Sequence, residues 1–289
     1  MGAKGRGKKI RCVVLDFDGT FTDVHEEARD FPAAYRADVA DLLGRDVSDA
    51  WAEAERTIAA DPDRYGWDVD GKLVAPANAD PYILSTAIAN LVFQKFGVLK
   101  SYRLRAEVTQ AIYKNAYEKT RTAFRPHARE VLESLVDSGL PTTIVTNAHT
   151  TMVMKKLDDL GIPEAKRPRL HGEAKKFMAG SLKKIDPEFE AIPETATIPG
   201  LHRPVYLRRA HYYQALRSIW DENPGTGPSS TLVCGDIYEL DLALPAHLGA
   251  HVHLVTRGGT NGYEREAVSA LGPRGGLGDD LRQILSRIA

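Results

Sequence analysis

The chain has 289 residues, with 38 basic and 39 acidic side chains and a net charge of −1. That balance leaves no broad field to draw in nucleic acid or an anionic membrane surface. The length suits one large domain or two modest ones with a sizeable core, and no apolar run approaches the roughly 20 residues that span a bilayer. Cys12 and Cys234 both fall inside apolar runs, where reduced, buried thiols are expected rather than a disulfide or a nucleophile. A cytoplasmic protein without nucleic-acid or membrane partners is the expectation.

Lys4, Arg6, Lys8, Lys9 and Arg11 open the chain as a solvated basic tail with no apolar signal segment behind it. Val13, Val14 and Leu15 then read as a strand buried on both faces, and such strands of parallel sheets carry ligand sites beyond their carboxyl ends. This one runs into Asp16-Phe17-Asp18-Gly19-Thr20. Period-two alternation points Asp16 and Asp18 the same way, so two negative charges crowd one region and repel. A divalent cation would relieve that repulsion. Gly19 lets the backbone leave the strand sharply, with Thr20 and Thr22 offering hydroxyls beside the turn.

Strand patterning stops after Asp23. Helices are predicted over 31–43, over 48–60 with Ser48 as N-cap, over 81–96 with Pro81 in the first turn and Gly97 as the stop, and over 106–122. Residues 65–80, rich in glycine, proline and aspartate, read as a loop or small hairpin. The aromatics Trp51, Trp67, Tyr82, Phe93, Tyr113 and Tyr117 are expected to form the core of this helical block.

Alternating helix and strand follow. A helix is expected over 128–138, a β-branched strand over 142–145 ending in Thr146-Asn147, a helix over 149–160, a weak strand over 204–207, a strong one over 231–236 and another over 251–256. Residues 164–202 are proline-rich and poorly periodic. Strands and helices in this order predict a parallel sheet covered on both faces. Its carboxyl edge would collect Asp16 and Asp18, Thr146 and Asn147, and Asp236 with Glu239 and Asp241 beyond it.

With these residues in this order, the sequence resembles the haloacid dehalogenase-like hydrolases, specifically their capped phosphatases. The first signature matches Asp16 to Thr20, the second Val145-Thr146-Asn147, and the fourth Gly235-Asp236 with Asp241. The resemblance implies an α/β fold, a Rossmann-like parallel sheet core formed by 1–23 and 123–289, and an inserted helical cap at 24–122. It implies a magnesium-dependent phosphatase acting on a small phosphorylated metabolite. Asp16 would be the nucleophile that forms an aspartyl phosphate, and Asp18 the acid and base. Asp16, Asp236 and the Asp18 carbonyl would hold Mg2+, with Asp241 holding the ligands from behind and Thr146 and Asn147 binding phosphate. Asp18 also tells against halide removal. A phosphomutase, or a non-catalytic module that binds a phosphorylated ligand, are the alternatives.

The third signature departs from the pattern. The resemblance implies a lysine shortly before the helix preceding the fourth motif, but residues 206–216 contain none. Arg208 is the expected substitute, since a guanidinium is always protonated and pairs well with carboxylate and phosphate. Arg209, Lys175 and Lys176 compete for the role. Other features carry plainer readings. Asp68-Val69-Asp70-Gly71 has no apolar strand before it and is expected to be a surface turn. His25 is read as structural, and His251 and His253 have no metal-ligand pattern around them. The run from Gly258 to Gly262 lacks the ending of a P-loop.

Overall fold

The computed structural model describes residues 9–182, 184 and 186–289. Lys4, Arg6 and Lys8 of the basic opening lie outside the described residues. In chain order the strands are β1 (Cys12–Leu15), β2 (Gly66–Val69), β3 (Lys72–Pro76), β4 (Thr142–Val145), β5 (Arg169–His171), β6 (Thr195–Ala196), β7 (Val205–Tyr206), β8 (Thr231–Gly235), β9 (His251–Val255) and β10 (Gly275–Gly278). Two compact units result. One comprises Met1–Thr22, of which residue 9 onward is described, with Phe124–Ala289; the other is Asp23–Ala123.

The first unit is built on a six-stranded sheet of order β10-β9-β8-β1-β4-β5, every pairing parallel. This is the Rossmann-like α/β fold. Its centre is the β1 run, in which alternate residues enter different apolar clusters: Cys12 and Val14 one, Val13 and Leu15 the other. The period-two alternation of a strand requires that split when both faces are covered. β8 does the same, with Val233 opposed to Leu232 and Cys234. Both cysteines are free and buried, and burial raises the Cys12 pKa to about 11, so neither thiol is poised as a nucleophile.

Two strands of this sheet were not expected. β5 reads Arg-Leu-His and β10 reads Gly-Gly-Leu-Gly; both are edge strands, where burial does not demand an apolar run. The weak strand expected over 204–207 does form as β7, but it pairs antiparallel with β6 outside the parallel sheet.

The second unit is helical, with Phe31–Leu43, Ser48–Ala60, Pro81–Lys95 and Tyr102–Tyr117 around one apolar core. Phe31 sits at its centre, with ring centroids 5.4 Å from Tyr35, 4.8 Å from Tyr82 and 5.4 Å from Tyr113. Trp51 and Phe93 are buried there too. Ser48 is not the cap of its helix: Val47 takes the N-cap position, and the Ser48 hydroxyl donates to Asp46 Oδ1 at 2.7 Å. Asp80 caps the third helix by accepting from Ile83 N, and the fourth starts earlier than expected because Ser101 accepts from Leu104 N. β2 and β3 form the hairpin, turning at Asp70 and Gly71 with φ of 53° and 78°. Two successive positive φ values define the turn that suits a tight hairpin, so the Asp-Gly pair is a turn and not a second carboxylate site.

On β9, His253 is 2% exposed, and among the described residues neither ring nitrogen has a hydrogen-bond partner. Burial, helped by repulsion from Arg287, lowers its pKa from 6.5 to about 4. The unfolded chain therefore binds a proton below about pH 6.5 that the folded chain refuses until about pH 4. Stability from this residue is complete above that window and falls as pH drops through it. The lowering corresponds to about 3 kcal/mol at full extent. Urea unfolding of wild type and His253→Leu should therefore show wild type losing about 2 kcal/mol more than the variant between about pH 7 and pH 5. Equal losses would refute the assignment.

Candidate active site

The ladder between β1 and β8 extends one residue beyond β1, with Asp16 N donating to Cys234 O at 2.8 Å. The backbone then turns. Phe21 N donates to Phe17 O at 2.8 Å, and Gly19 N donates to Thr22 Oγ1 at 3.0 Å. Gly19 has φ +84°, and a Cβ there would stand 2.5 Å from Asp236 Oδ2. Any side chain at this position would displace an acidic group of the cluster, which explains glycine twice over. Within the turn the Thr20 hydroxyl donates to Asp16 Oδ2 at 2.8 Å.

β8 brings the second part. Asp236 follows it directly, and a π-helical turn at Tyr238–Leu242 carries Asp241 back toward the strand end. A Cβ on Gly235 would be only 2.3 Å from that of Asp241, so the return needs glycine there. Ile237 N donates to Asp241 Oδ2 at 3.0 Å and fixes the carboxylate. π turns of this kind are often found at functional sites.

The third part comes from the loop after β5. Glu173 N donates to Ala148 O and Ala174 N to Thr146 O, both at 2.9 Å, and Lys176 N donates to Asn147 Oδ1 at 2.7 Å. Glu173 and Lys175 have φ of 53° and 46°, a left-handed conformation that side chains adopt at a cost of about 1–3 kcal/mol. The strained loop turns Lys176 inward and leaves Lys175 exposed. Lys176 Nζ lies 2.6 Å from Asp16 Oδ1 and 2.5 Å from Asp241 Oδ1.

Arg208 does not occupy this position, correcting the sequence-based expectation. Its Nε donates to Ile192 O at 2.6 Å and its Nη2 to Glu190 O at 2.7 Å, holding the segment before β6. The reason is β7, which belongs to the small antiparallel pair and not to the edge of the main sheet. Arg209 is fully buried, and its Nη1 donates to Lys176 O at 2.6 Å, so it secures the loop that presents the lysine. Burial lowers its pKa to about 10 against the pull of Glu239 and Asp241. Sequence reasoning missed the preference for Lys176 because β5, the strand that delivers it, carries no apolar signal.

Asp16, Asp236 and Asp241 are all buried, and one oxygen from each lies within 4.8 Å of the others. Burial, reinforced by Asp241 and Asp18 and opposed by Lys176, pushes Asp16 up to about 7. Asp236 is also raised well above the ordinary carboxylate range, chiefly by burial, although Arg257 opposes it. Burial works against the Lys176 ammonium, but the two carboxylates outweigh it and raise its pKa. Arg257 donates to the Asp236 carbonyl and lies 3.6 Å from Asp236 Oδ2. Three carboxylates thus face two cations, and an all-oxygen set with surplus negative charge suits a hard divalent ion. Asp241, expected behind the ligands, has an oxygen in this group, while its Oδ1 faces Lys176 and its Oδ2 accepts from Ile237 N.

Thr146 is buried at the end of β4, its hydroxyl accepting from Ala148 N at 3.1 Å, and Asn147 follows it. Asp18 is partly exposed, and Lys156 Nζ reaches its Oδ1 at 2.7 Å. The sequence had not singled out Lys156, a lysine within a helix. Glu239 lies apart from the cluster, paired through both oxygens to Arg203 at 2.7 and 2.8 Å.

A parallel sheet with an aspartate cluster beyond the carboxyl ends of its strands, and a helical insertion after the first strand, is an α/β architecture with its candidate site at the sheet's carboxyl edge. The chain belongs to the haloacid dehalogenase-like hydrolase family, whose profile matches residues 10–189. Members of that family generally use a divalent metal, in keeping with the aspartate cluster. Among curated proteins none matches the sequence. Solved structures share the fold. A protein from Thermotoga maritima assigned as a β-phosphoglucomutase has TM-score 0.53 at 14% identity, covering 97% of this chain and 100% of its own. A predicted phosphoglycolate phosphatase from Haemophilus somnus gives 0.53 at 17% identity over 96% and 97%. A haloacid dehalogenase-like hydrolase from Streptococcus pneumoniae gives 0.51 at 15% over 97% and 99%. No helix among the described residues is long and apolar enough to cross a membrane.

Removing the ammonium leaves buried carboxylates without their compensating charge, a loss of about 3–5 kcal/mol for a broken buried pair. Lys176→Met should lower the unfolding free energy by that amount at about pH 8 and by clearly less at about pH 5. The sign follows from Asp16: without Lys176 its pKa rises further, so the folded variant holds a proton that the unfolded chain releases, and stability falls as pH rises. Denaturant titrations at the two pH values check this, and a loss independent of pH would contradict it.

Proposed function

We propose that the protein is a magnesium-dependent phosphatase that hydrolyses a small phosphorylated metabolite through an aspartyl phosphate on Asp16. The observation that carries this reading is the buried Lys176 ammonium shared by Asp16 and Asp241, with Asp18 two residues beyond the nucleophile. A carboxylate that must attack an anionic phosphoryl group needs its own charge balanced, and the fixed ammonium does so without reorganising.

An oxygen of Asp16 attacks phosphorus as the bond to the ester oxygen breaks, and Asp18 gives that oxygen a proton. Asp18, now a carboxylate, takes a proton from water, whose oxygen attacks the phosphoryl group and frees Asp16 and inorganic phosphate. Lys176, the Thr146 hydroxyl and the Asn147 side chain would neutralise and orient the phosphoryl oxygens. Asp16, Asp236 and the Asp18 carbonyl would hold magnesium, which supplies further charge neutralisation when bound.

Hydrolysis of p-nitrophenyl phosphate with magnesium tests the reading. Asp16→Asn should abolish turnover with the fold intact, and activity within about tenfold of wild type would exclude Asp16 as nucleophile. Lys176→Ala should cut turnover by about a hundredfold or more, whereas Arg208→Ala should leave it nearly unchanged. Chelation should silence the wild type. Asp236→Ala should need more magnesium to reach half its rate, and turnover indifferent to chelation would exclude the metal. Phosphate released in step with nitrophenol supports hydrolysis; delivery to an added sugar phosphate in its place would make the protein a phosphomutase.

A further inference from the structure

We propose that Lys156 is the positioning residue for Asp18, anchoring one carboxylate oxygen so that the other is presented for proton transfer. The inference rests on the phosphatase reading above and adds a residue to it. Lys156 lies in the helix Thr150–Asp159, where its neighbours Val153 and Leu157 are buried in the core. Lys155, one position earlier, is exposed. The Lys156 side chain is only 10% exposed, yet it ends 2.7 Å from Asp18 Oδ1. A lysine on a helix surface can place its ammonium in water by extending its stem. This one is drawn inward to a carboxylate, which requires a partner to offset the lost hydration. Among the described residues no other side chain bonds the Asp18 carboxylate.

The geometry separates the two aspartates of the first motif between two lysines on different elements. Asp16 is held by Lys176 from the loop after β5, and Asp18 by Lys156 from the helix after β4. An ammonium is a single-point donor and engages Oδ1 alone, unlike the two-pronged grip of a guanidinium. Oδ2 stays available to carry the proton to the ester oxygen and then to receive one from water. Pulling the Asp18 charge toward Lys156 also moves it away from Asp16, whose carboxylate it otherwise repels.

The role predicts selectivity by leaving group, which a purely structural lysine would not affect. A nitrophenolate departs readily without a proton, whereas an alkoxide needs one, so loss of a well-placed acid falls on the alkyl ester. Lys156→Met should lower kcat/KM, which reports aspartyl phosphate formation and not the hydrolysis step shared by all esters, for an alkyl phosphate by about tenfold or more relative to any fall with p-nitrophenyl phosphate. Lys156→Arg should recover most of the alkyl rate, and in an Asp18→Asn background Lys156→Met should cost nothing further. Lys156→Gln gives the same comparison if the methionine variant does not fold. An equal fall for both esters, no fall, or an undiminished effect in the Asp18→Asn background would overturn the proposal. A wild type inactive toward every phosphate ester would overturn the phosphatase reading and this one with it. An active wild type with unselective Lys156 variants would overturn this one alone.

Discussion

The site depends on one buried ammonium held between two carboxylates. Lys176 and its partners Asp16 and Asp241 are each less than a tenth exposed, and charges so far from water persist only when paired closely. That requirement reaches back into the backbone. It explains the glycine at 235, which lets Asp241 approach, and the left-handed residues Glu173 and Lys175, which let the loop turn inward. It also explains why so costly a side chain as Arg209 is buried: its guanidinium grips the carbonyl of the same lysine.

The pairing continues outward. Arg257 stands by Asp236 and reaches toward Glu264, which in turn accepts from Tyr238 N at 3.0 Å, at the head of the turn that carries Asp241. Glu239, inside that turn, is held by Arg203 and by the Tyr263 hydroxyl at 2.7 Å. Few of these groups can move alone, because displacing one strands a charge on the next. Such a network suits a reaction whose main demand is stabilising charge at a fixed place, since donors already in position need no rearrangement in the transition state.

How much of this could be read in advance depended on burial. β1, β4, β8 and β9 are covered on both faces, so their apolar runs were plain, and with them the places of Asp16, Asp18, Thr146, Asn147 and Asp236. β5 and β10 lie at the edges, where Arg169, His171 and three glycines suffice. Missing β5 hid the position of Lys176, because a loop is recognisable as part of a sheet edge only when its strand is seen. Arg208 drew attention by following Leu207, yet Val205–Tyr206 serves a different pair of strands. No periodicity could separate the two, since hydrogen-bond partners distant in sequence leave no local mark.

The chain leaves the first motif at Thr22 and returns at Phe124, and within the sheet unit these two ends are joined. Thr22 and Phe124 form an antiparallel bridge, Arg125 N donates to Phe21 O at 2.9 Å, and Arg125 Nε donates to Gly19 O at 2.8 Å. The turn bearing Asp16 and Asp18 is thus fastened by the returning strand of chain itself. Closure entropy grows only slowly with the length of an inserted segment, so once the two ends are stitched in this way the insertion adds little strain. Asp16, Asp18 and the Gly19 that follows them are held by groups of the sheet unit: Thr22 and Arg125 at the stitch, and Lys156 and Lys176 beyond it.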